Sequence, residues 1–119
     1  MNKLRLYWGV DGSFTFRLTI APEYKAAPFN GTLLGASLRF TLGLPGYTSA
    51  PIIDSSSPTL LTHSADELVG YFDIPAAALT AALTDGEKRY DLAGQLDLTP
   101  ANGPKGEPYQ IRTVVYPAA

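Results

Sequence analysis

Short runs in which apolar and polar residues alternate constrain the fold of this chain more than any other feature. The most informative stretch spans residues 68–98, LVGYFDIPAAALTAALTDGEKRYDLAGQLDL. Its first run places Leu68, Phe72 and Ile74 on one side, and this period of two indicates a half-buried β-strand. Pro75 follows and ends the strand, because proline has no N–H to donate to a sheet ladder.

The rest of this stretch predicts a short helix and a second strand. Residues 75–83 begin with proline, which suits the first helical position, and are otherwise rich in alanine and leucine, which favour helix. Leu79 and Leu83 lie four residues apart, so both can face a sheet from one side of the helix. Residues 90–98 alternate again. We therefore predict one short helical turn near residues 75–83, between two strands.

The same alternation recurs along the rest of the chain. The further predicted strands are 4–8, 14–20, 34–42, 59–62 and 111–115, with a short edge strand at 52–53. An Asp-Gly pair at 11–12, between the first two runs, indicates a tight hairpin. The apolar sides of these strands carry the four phenylalanines that we predict to form the core: Phe14, Phe16, Phe40 and Phe72.

Seven or eight short strands with one helical interruption indicate an all-β fold. Ten prolines and eleven glycines are scattered between the apolar runs, and this punctuation favours many short strands over long helices. Strands at this spacing predict an antiparallel β-sandwich or a small barrel. The length of 119 residues is typical of one domain, and no repeat or change in composition marks a boundary. We therefore predict a single domain over residues 1–119.

Composition argues against several classes of function. Cysteine is absent, which removes disulfides, thiolate catalysis and cysteine-bound zinc. The net charge is −2, and lysine and arginine are spread singly along the chain with no basic patch, so we expect no nucleic-acid partner. No apolar run approaches a membrane span of ~18 residues, and residues 1–12 lack the features of a signal peptide. We expect a soluble protein made in a cytoplasm.

Residues that could support catalysis or bind a metal are few. The one histidine, His63, lies beside Ser64 and Asp66, but a catalytic triad needs a geometry that neighbours in sequence do not provide. Asp91 and Asp97 could share one face of a strand, yet they would lie ~20 Å apart, too far for a pair of glycosidase carboxylates. No acidic segment has the spacing of an EF-hand loop. We predict no catalytic residue, no metal site, no cofactor and no enzymatic activity.

Aromatic side chains are the strongest candidates for a binding surface. Tyr7, Tyr71 and Tyr116 are predicted on the outer faces of strands. Tyrosine on a lightly charged surface is typical of protein interfaces, although scattered exposed tyrosines are also common. Trp8 and Tyr47 are candidates for stacking against a ligand such as a carbohydrate. These five aromatic residues form the candidate interface.

The order of these segments resembles a family of viral proteins. The segments that carry the resemblance read DGSFTFRLTI, LLGASLRFTL, GYFDIPAAALTAAL and KRYDLAGQLDLTP, followed by a glycine-rich turn and a last strand ending TVVYP. They resemble small phage and prophage structural proteins with an immunoglobulin-like β-sandwich, and they are similar to the N-terminal domain of baseplate upper proteins. The resemblance covers about residues 11–116. Residues 1–10 precede it, and their alternation predicts an added N-terminal strand.

This resemblance implies an antiparallel immunoglobulin-like sandwich with a structural role in a virion, most often in the tail or baseplate region. It brings no catalytic residues. We therefore expect a virion protein, made in the host bacterial cytoplasm, that is present in several copies and contacts other virion proteins. The contacts are expected through strand 3–8 or loop 43–57. The alternatives are a head decoration or head–tail joining protein, and a carbohydrate- or host-receptor-binding module.

Overall fold

Eight strands in two sheets make up most of the computed structural model, which describes residues 2–28, 30–45, 51–101 and 106–117. The strands are β1 (Asn2–Tyr7), β2 (Gly12–Thr19), β3 (Ser37–Gly43), β4 (Ile53–Ser55), β5 (Thr59–His63), β6 (Glu67–Ile74), β7 (Tyr90–Thr99) and β8 (Tyr109–Tyr116). The helices are α1 (Pro22–Lys25) and α2 (Ala76–Ala82). The all-β prediction is confirmed, and α2 lies within the range 75–83 that the sequence predicts for a helical turn.

The strands divide unequally between the two sheets. One sheet has five strands in the order β1-β8-β7-β3-β4, and the other has three in the order β2-β6-β5. Neighbouring strands are antiparallel except β1 and β8, which run parallel from Asn2 opposite Ile111 to Tyr7 opposite Tyr116. The prediction of a wholly antiparallel sandwich is therefore wrong at this pair of strands.

The Asp-Gly pair at 11–12 does not form the predicted hairpin. β1 and β2 belong to different sheets, so the chain crosses from one sheet to the other at this point. The turn forms earlier, with Gly9 at φ +77° and the Val10 N–H donating to the Tyr7 carbonyl over 3.1 Å. The Asp11 carboxylate instead accepts the N–H of Ala76, at the start of α2, over 2.8 Å. This long-range hydrogen bond replaces the local turn that the dipeptide favours.

The core lies between the two sheets and is aromatic at its centre. The ring of Phe40 on β3 stacks on Phe14 of β2 at 5.1 Å between centroids, and it contacts Phe72 of β6 at 5.4 Å. Phe16 meets Phe72 at 5.6 Å. All four rings are at most 6% exposed, which confirms their predicted place in the core. Because Phe40 touches rings from the opposite sheet, it joins the two layers.

Helix α2 covers part of this core between β6 and β7. Leu79 and Leu83 are 1% and 3% exposed, so both leucines face inward as their spacing predicts. The turn that follows is tied to β7, because the Asp85 N–H donates to the hydroxyl oxygen of Tyr90 over 3.2 Å. Helix α1, in contrast, has no buried residue and lies between the predicted strands 14–20 and 34–42, where no helix is expected.

Candidate protein-binding site

The five aromatic candidates do not form one cluster. Tyr7, Trp8 and Tyr116 come together at one corner of the five-stranded sheet, where β1 and β8 end. Tyr71 lies on β6 in the three-stranded sheet, half-buried between Thr15 and Thr59 of the flanking strands. Tyr47 lies outside the described residues. The corner, which groups three of the five candidates, is therefore the candidate binding surface.

Tyr7 and Tyr116 are neighbours because of the parallel pairing of β1 and β8. They are the last pair in the register of the two strands, so both rings project from the same face of the sheet. The rings stack with 5.5 Å between centroids and 28° between planes. Tyr7 is 54% exposed, while Tyr116 is half-buried. A stacked pair of this kind stabilises by about 0.5–1.5 kcal/mol beyond burial, so Tyr7 is held in position although it faces water.

Arg89 extends the aromatic pair into a row of three planar groups. Its guanidinium carbon lies 5.8 Å from the centre of the Tyr116 ring, and its Nη2 lies 3.6 Å from Oδ1 of Asp91. Arg89 is not among the five residues predicted from the sequence. Its outward position could have been predicted, because it continues the outward-facing alternation of β7 one position before the strand begins.

Trp8 lies next to this row, on the side that faces the core. It is half-buried and packs against the core, and its backbone N–H donates to the Tyr116 carbonyl over 3.0 Å. Its indole lies directly on Gly86, where an added Cβ would be 2.5 Å from Nε1. Trp8 is therefore packed against the turn after α2 and offers less free ring surface than Tyr7. We refer to Tyr7, Trp8, Arg89 and Tyr116 as the aromatic corner.

The outer face of the same sheet continues from the corner along β1 and β8. Val114 points to this outer side and lies outside the core cluster, yet it is 0% exposed. Its register neighbours are Arg5 and Asp91, so the side chains around it exclude water. One step further from the corner, Lys3 lies directly opposite Arg112. We refer to Lys3, Arg5 and Arg112, all exposed, as the basic face.

The basic face corrects one expectation from the sequence. Lysine and arginine are spread singly along the chain, and this spacing predicts that no basic patch exists. Residues 3 and 112 are far apart in sequence, but the parallel pairing of β1 with β8 makes them cross-strand neighbours. A small basic patch therefore exists in space.

On the other half of this sheet surface, formed by β3 and β4, the exposed arginine is paired with a carboxylate. Arg39 on β3 donates to both carboxylate oxygens of Asp54 on β4, over 2.9 and 2.7 Å. The hydrogen bond from Arg39 holds the pKa of Asp54 below its ordinary value, and the bond to Asp54 raises the pKa of Arg39. A shallow cavity of about 240 Å³ lies beside this ion pair. The described residues that line it are Arg39, Thr41, Pro51, Gln95 and Asp97, none of them aromatic.

The described residues offer little for metal chemistry. Within them, no three His, Cys, Asp or Glu side chains are grouped so that they could hold a metal ion. His63 is exposed at the end of β5. In the same part of the chain, neither helix has the length and apolar character needed to cross a membrane.

No protein-family model matches the chain, and no curated protein is similar to it at a significant level.

Proposed function

We propose that this chain is a phage virion structural protein, associated with the tail or baseplate, and that it docks on a neighbouring virion protein through the aromatic corner. The observation that carries this proposal is the exposed Tyr7 ring, stacked on Tyr116 beside Arg89. Tyrosine and arginine are enriched among the residues that dominate binding energy in protein interfaces. The sequence resemblance to phage tail and baseplate proteins supports the location in the virion.

The corner has the physical properties of a docking site. An exposed aromatic ring that is already stacked loses little conformational freedom when a partner covers it. Val10, in the turn after β1, is 56% exposed and adds apolar surface near Tyr7. Arg89 supplies several N–H donors at the rim of the same surface. Aromatic rings surrounded by polar donors are the usual composition of an interface centre and its rim.

We also propose that the sandwich is immunoglobulin-like. Three observations support this assignment. The sheet β2-β6-β5 matches strands B, E and D of that fold, and β8-β7-β3-β4 matches G, F, C and C′. β1 then adds to the edge next to strand G. Tyr90 stands at the start of the strand that corresponds to F, two residues before the buried Leu92, and its hydroxyl is bonded to backbone upstream. This is the position of the tyrosine corner in immunoglobulin domains.

A head decoration or head–tail joining protein would use the same kind of contact, so fractionation of particles separates these alternatives. Phage particles are dissociated into heads and tails, and the protein is quantified in each fraction by mass spectrometry. We expect it in the tail fraction. Recovery with heads would support the decoration or joining alternative, and absence from purified particles would contradict the virion proposal altogether.

Substitution at the corner tests the docking site itself. Tyr7→Ser removes the exposed ring, and Tyr109→Ser removes a ring of similar exposure, 46% against 54%, at the far end of β8. We expect Tyr7→Ser to reduce incorporation into particles severalfold, while Tyr109→Ser leaves it unchanged. Equal incorporation of the two folded variants would show that the corner is not the docking site.

A further inference from the structure

The three cations of the basic face lie together, and the carboxylate that follows them in register across Val114, Asp91, is paired with Arg89. Lys3 and Arg112 are directly opposite each other on β1 and β8, and Arg5 is two residues further along β1 on the same face. Like charges at directly opposed positions of a sheet repel each other. Within the described residues, none of the three forms an ion pair within 4.0 Å. The arrangement costs the free protein some stability.

Most other cations of the described chain are paired. The ion pairs are Arg17–Glu67, Lys25–Asp66, Arg39–Asp54 and Arg89–Asp91. Arg39 and Asp54 lie on the same sheet surface as the basic face, toward its opposite edge. On this sheet surface Arg39 is therefore paired with a carboxylate, whereas Lys3, Arg5 and Arg112 form no ion pair within the described residues.

The excess of positive charge is local. The basic face carries +3, whereas the whole chain carries −2, so the remaining residues sum to −5. The rest of the chain is therefore net negative, which on balance disfavours an anionic partner away from β1 and β8. At ordinary ionic strength, salt screens the attraction between these cations and an anionic partner beyond about 10 Å, which is the width of two or three strands.

The geometry of β1 indicates how a partner could use this charge. β1 is the edge strand of the five-stranded sheet, and among the described strands only β8 pairs with it. Its free edge can accept a further strand through main-chain hydrogen bonds. On such an added strand, every second side chain would stand beside Lys3, Arg5 and Tyr7, and the intervening ones beside Leu4 and Leu6.

We propose that the basic face binds an extended acidic segment of the neighbouring protein, which adds to the edge of β1 with carboxylates at alternate positions. This inference rests on the proposed docking function and specifies the chemistry of the partner. The carboxylates would neutralise Lys3 and Arg5, and the apolar residues between them would cover the half-buried Leu4. A nucleic acid is disfavoured because three cations neutralise too few phosphates for strong binding.

The test uses the full chain and a synthetic peptide in which glutamate and valine alternate. Binding is followed by isothermal titration calorimetry and by the fluorescence of Trp8, the one tryptophan, which adjoins β1. We expect binding at about 20 mM salt that weakens at least tenfold at about 200 mM. A peptide with the same composition but with glutamates and valines in separate blocks should bind at least tenfold more weakly.

Matched charge variants locate the site. Lys3→Glu/Arg112→Glu should weaken binding of the alternating peptide at least tenfold. Lys25→Glu/Lys88→Glu changes the net charge equally at exposed positions on α1 and in the turn after α2, and it should bind as the wild type does. Equal losses in the two double variants, no binding at low salt, or tighter binding of a single-stranded oligonucleotide of equal charge would each overturn the proposal.

The outcomes separate this inference from the proposed function. If the peptide fails to bind while Tyr7→Ser still reduces incorporation into particles, the docking function stands and the acidic partner is wrong. If the peptide binds as expected while Tyr7→Ser is incorporated normally, the acidic-strand site stands and the aromatic corner is not the virion contact. Thermal unfolding of every variant verifies that the compared proteins are folded.

Discussion

The backbone N–H of Asp85 donates to the hydroxyl oxygen of Tyr90 over 3.2 Å, which fastens the turn after α2 to the first residue of β7. The same turn contains Gly86, on which the Trp8 indole rests. The hydrogen bond to Tyr90 therefore also restrains the turn against which Trp8 of the aromatic corner packs. It links the packing of the fold to the position of the candidate binding site.

Replacing Tyr90 with phenylalanine should measure this link. Tyr90→Phe keeps the half-buried ring and removes the acceptor, so we expect a loss of about 0.5–1.5 kcal/mol in the free energy of unfolding. Urea denaturation measures it. Tyr109→Phe is the control, because that side chain is 46% exposed and forms no hydrogen bond within the described residues. If both variants lose the same stability, the Tyr90 hydrogen bond contributes nothing.

Truncation of Phe72 should cause the largest loss of stability among these substitutions. Phe72 is 0% exposed and contacts the rings of Phe16 and Phe40, so Phe72→Ala leaves a cavity between the sheets. We expect a loss of about 3–5 kcal/mol, measured by urea denaturation. Leu61→Ala, at a position 67% exposed, should change stability by less than about 0.5 kcal/mol. A small effect of Phe72→Ala would mean that the described register of β6 is wrong.

Gly70 tests the close approach of β5 and β6. A Cβ on Gly70 would overlap the carbonyl oxygen of Thr59, which is backbone and cannot turn away. We expect Gly70→Ala to destabilise the protein by about 1–3 kcal/mol in thermal or chemical unfolding. At Gly106 an added Cβ meets no described atom within 4 Å, so Gly106→Ala is the matched control. Two equally stable variants would contradict the close contact between the strands.

The ion pair of Arg39 and Asp54 should give a specific pH dependence. Because Arg39 lowers the pKa of Asp54 in the folded state, the pair stabilises the protein above the unfolded-state pKa of about 3.9. That contribution disappears as pH falls through the lowered pKa. NMR titration should show the Asp54 pKa rising toward its ordinary value in Arg39→Gln. An unchanged Asp54 pKa in this variant would show that Arg39 is not what lowers it.

Stability measurements provide the control for this pair. The difference in unfolding free energy between wild type and Arg39→Gln should shrink as pH falls below the folded-state pKa of Asp54. In the Asp54→Asn background, the same comparison should show no such change, because the titrating group has been removed. Both side chains are substantially exposed, 56% and 42%, so the effect is expected to be small.

Much of the fold could be predicted because its signals are local. Alternation within a strand places Phe14 and Phe72 in the core, and the spacing of Leu79 and Leu83 directs both toward it, without knowledge of any partner strand. The Asp-Gly pair at 11–12 failed as a signal because Asp11 bonds to Ala76, 65 residues away, and β1 and β2 join different sheets.

Local sequence patterns suffice to predict short strands with apolar inner faces, the helical turn near residues 75–83 and tyrosines on outer faces, because a side chain's direction follows from its place in the local repeat. The parallel pairing of β1 with β8 arises only in the folded chain. That pairing stacks Tyr7 on Tyr116 and sets Lys3 against Arg112. Pairing between strands at opposite ends of a chain depends on the packing of both sheets, which no pattern within one strand encodes.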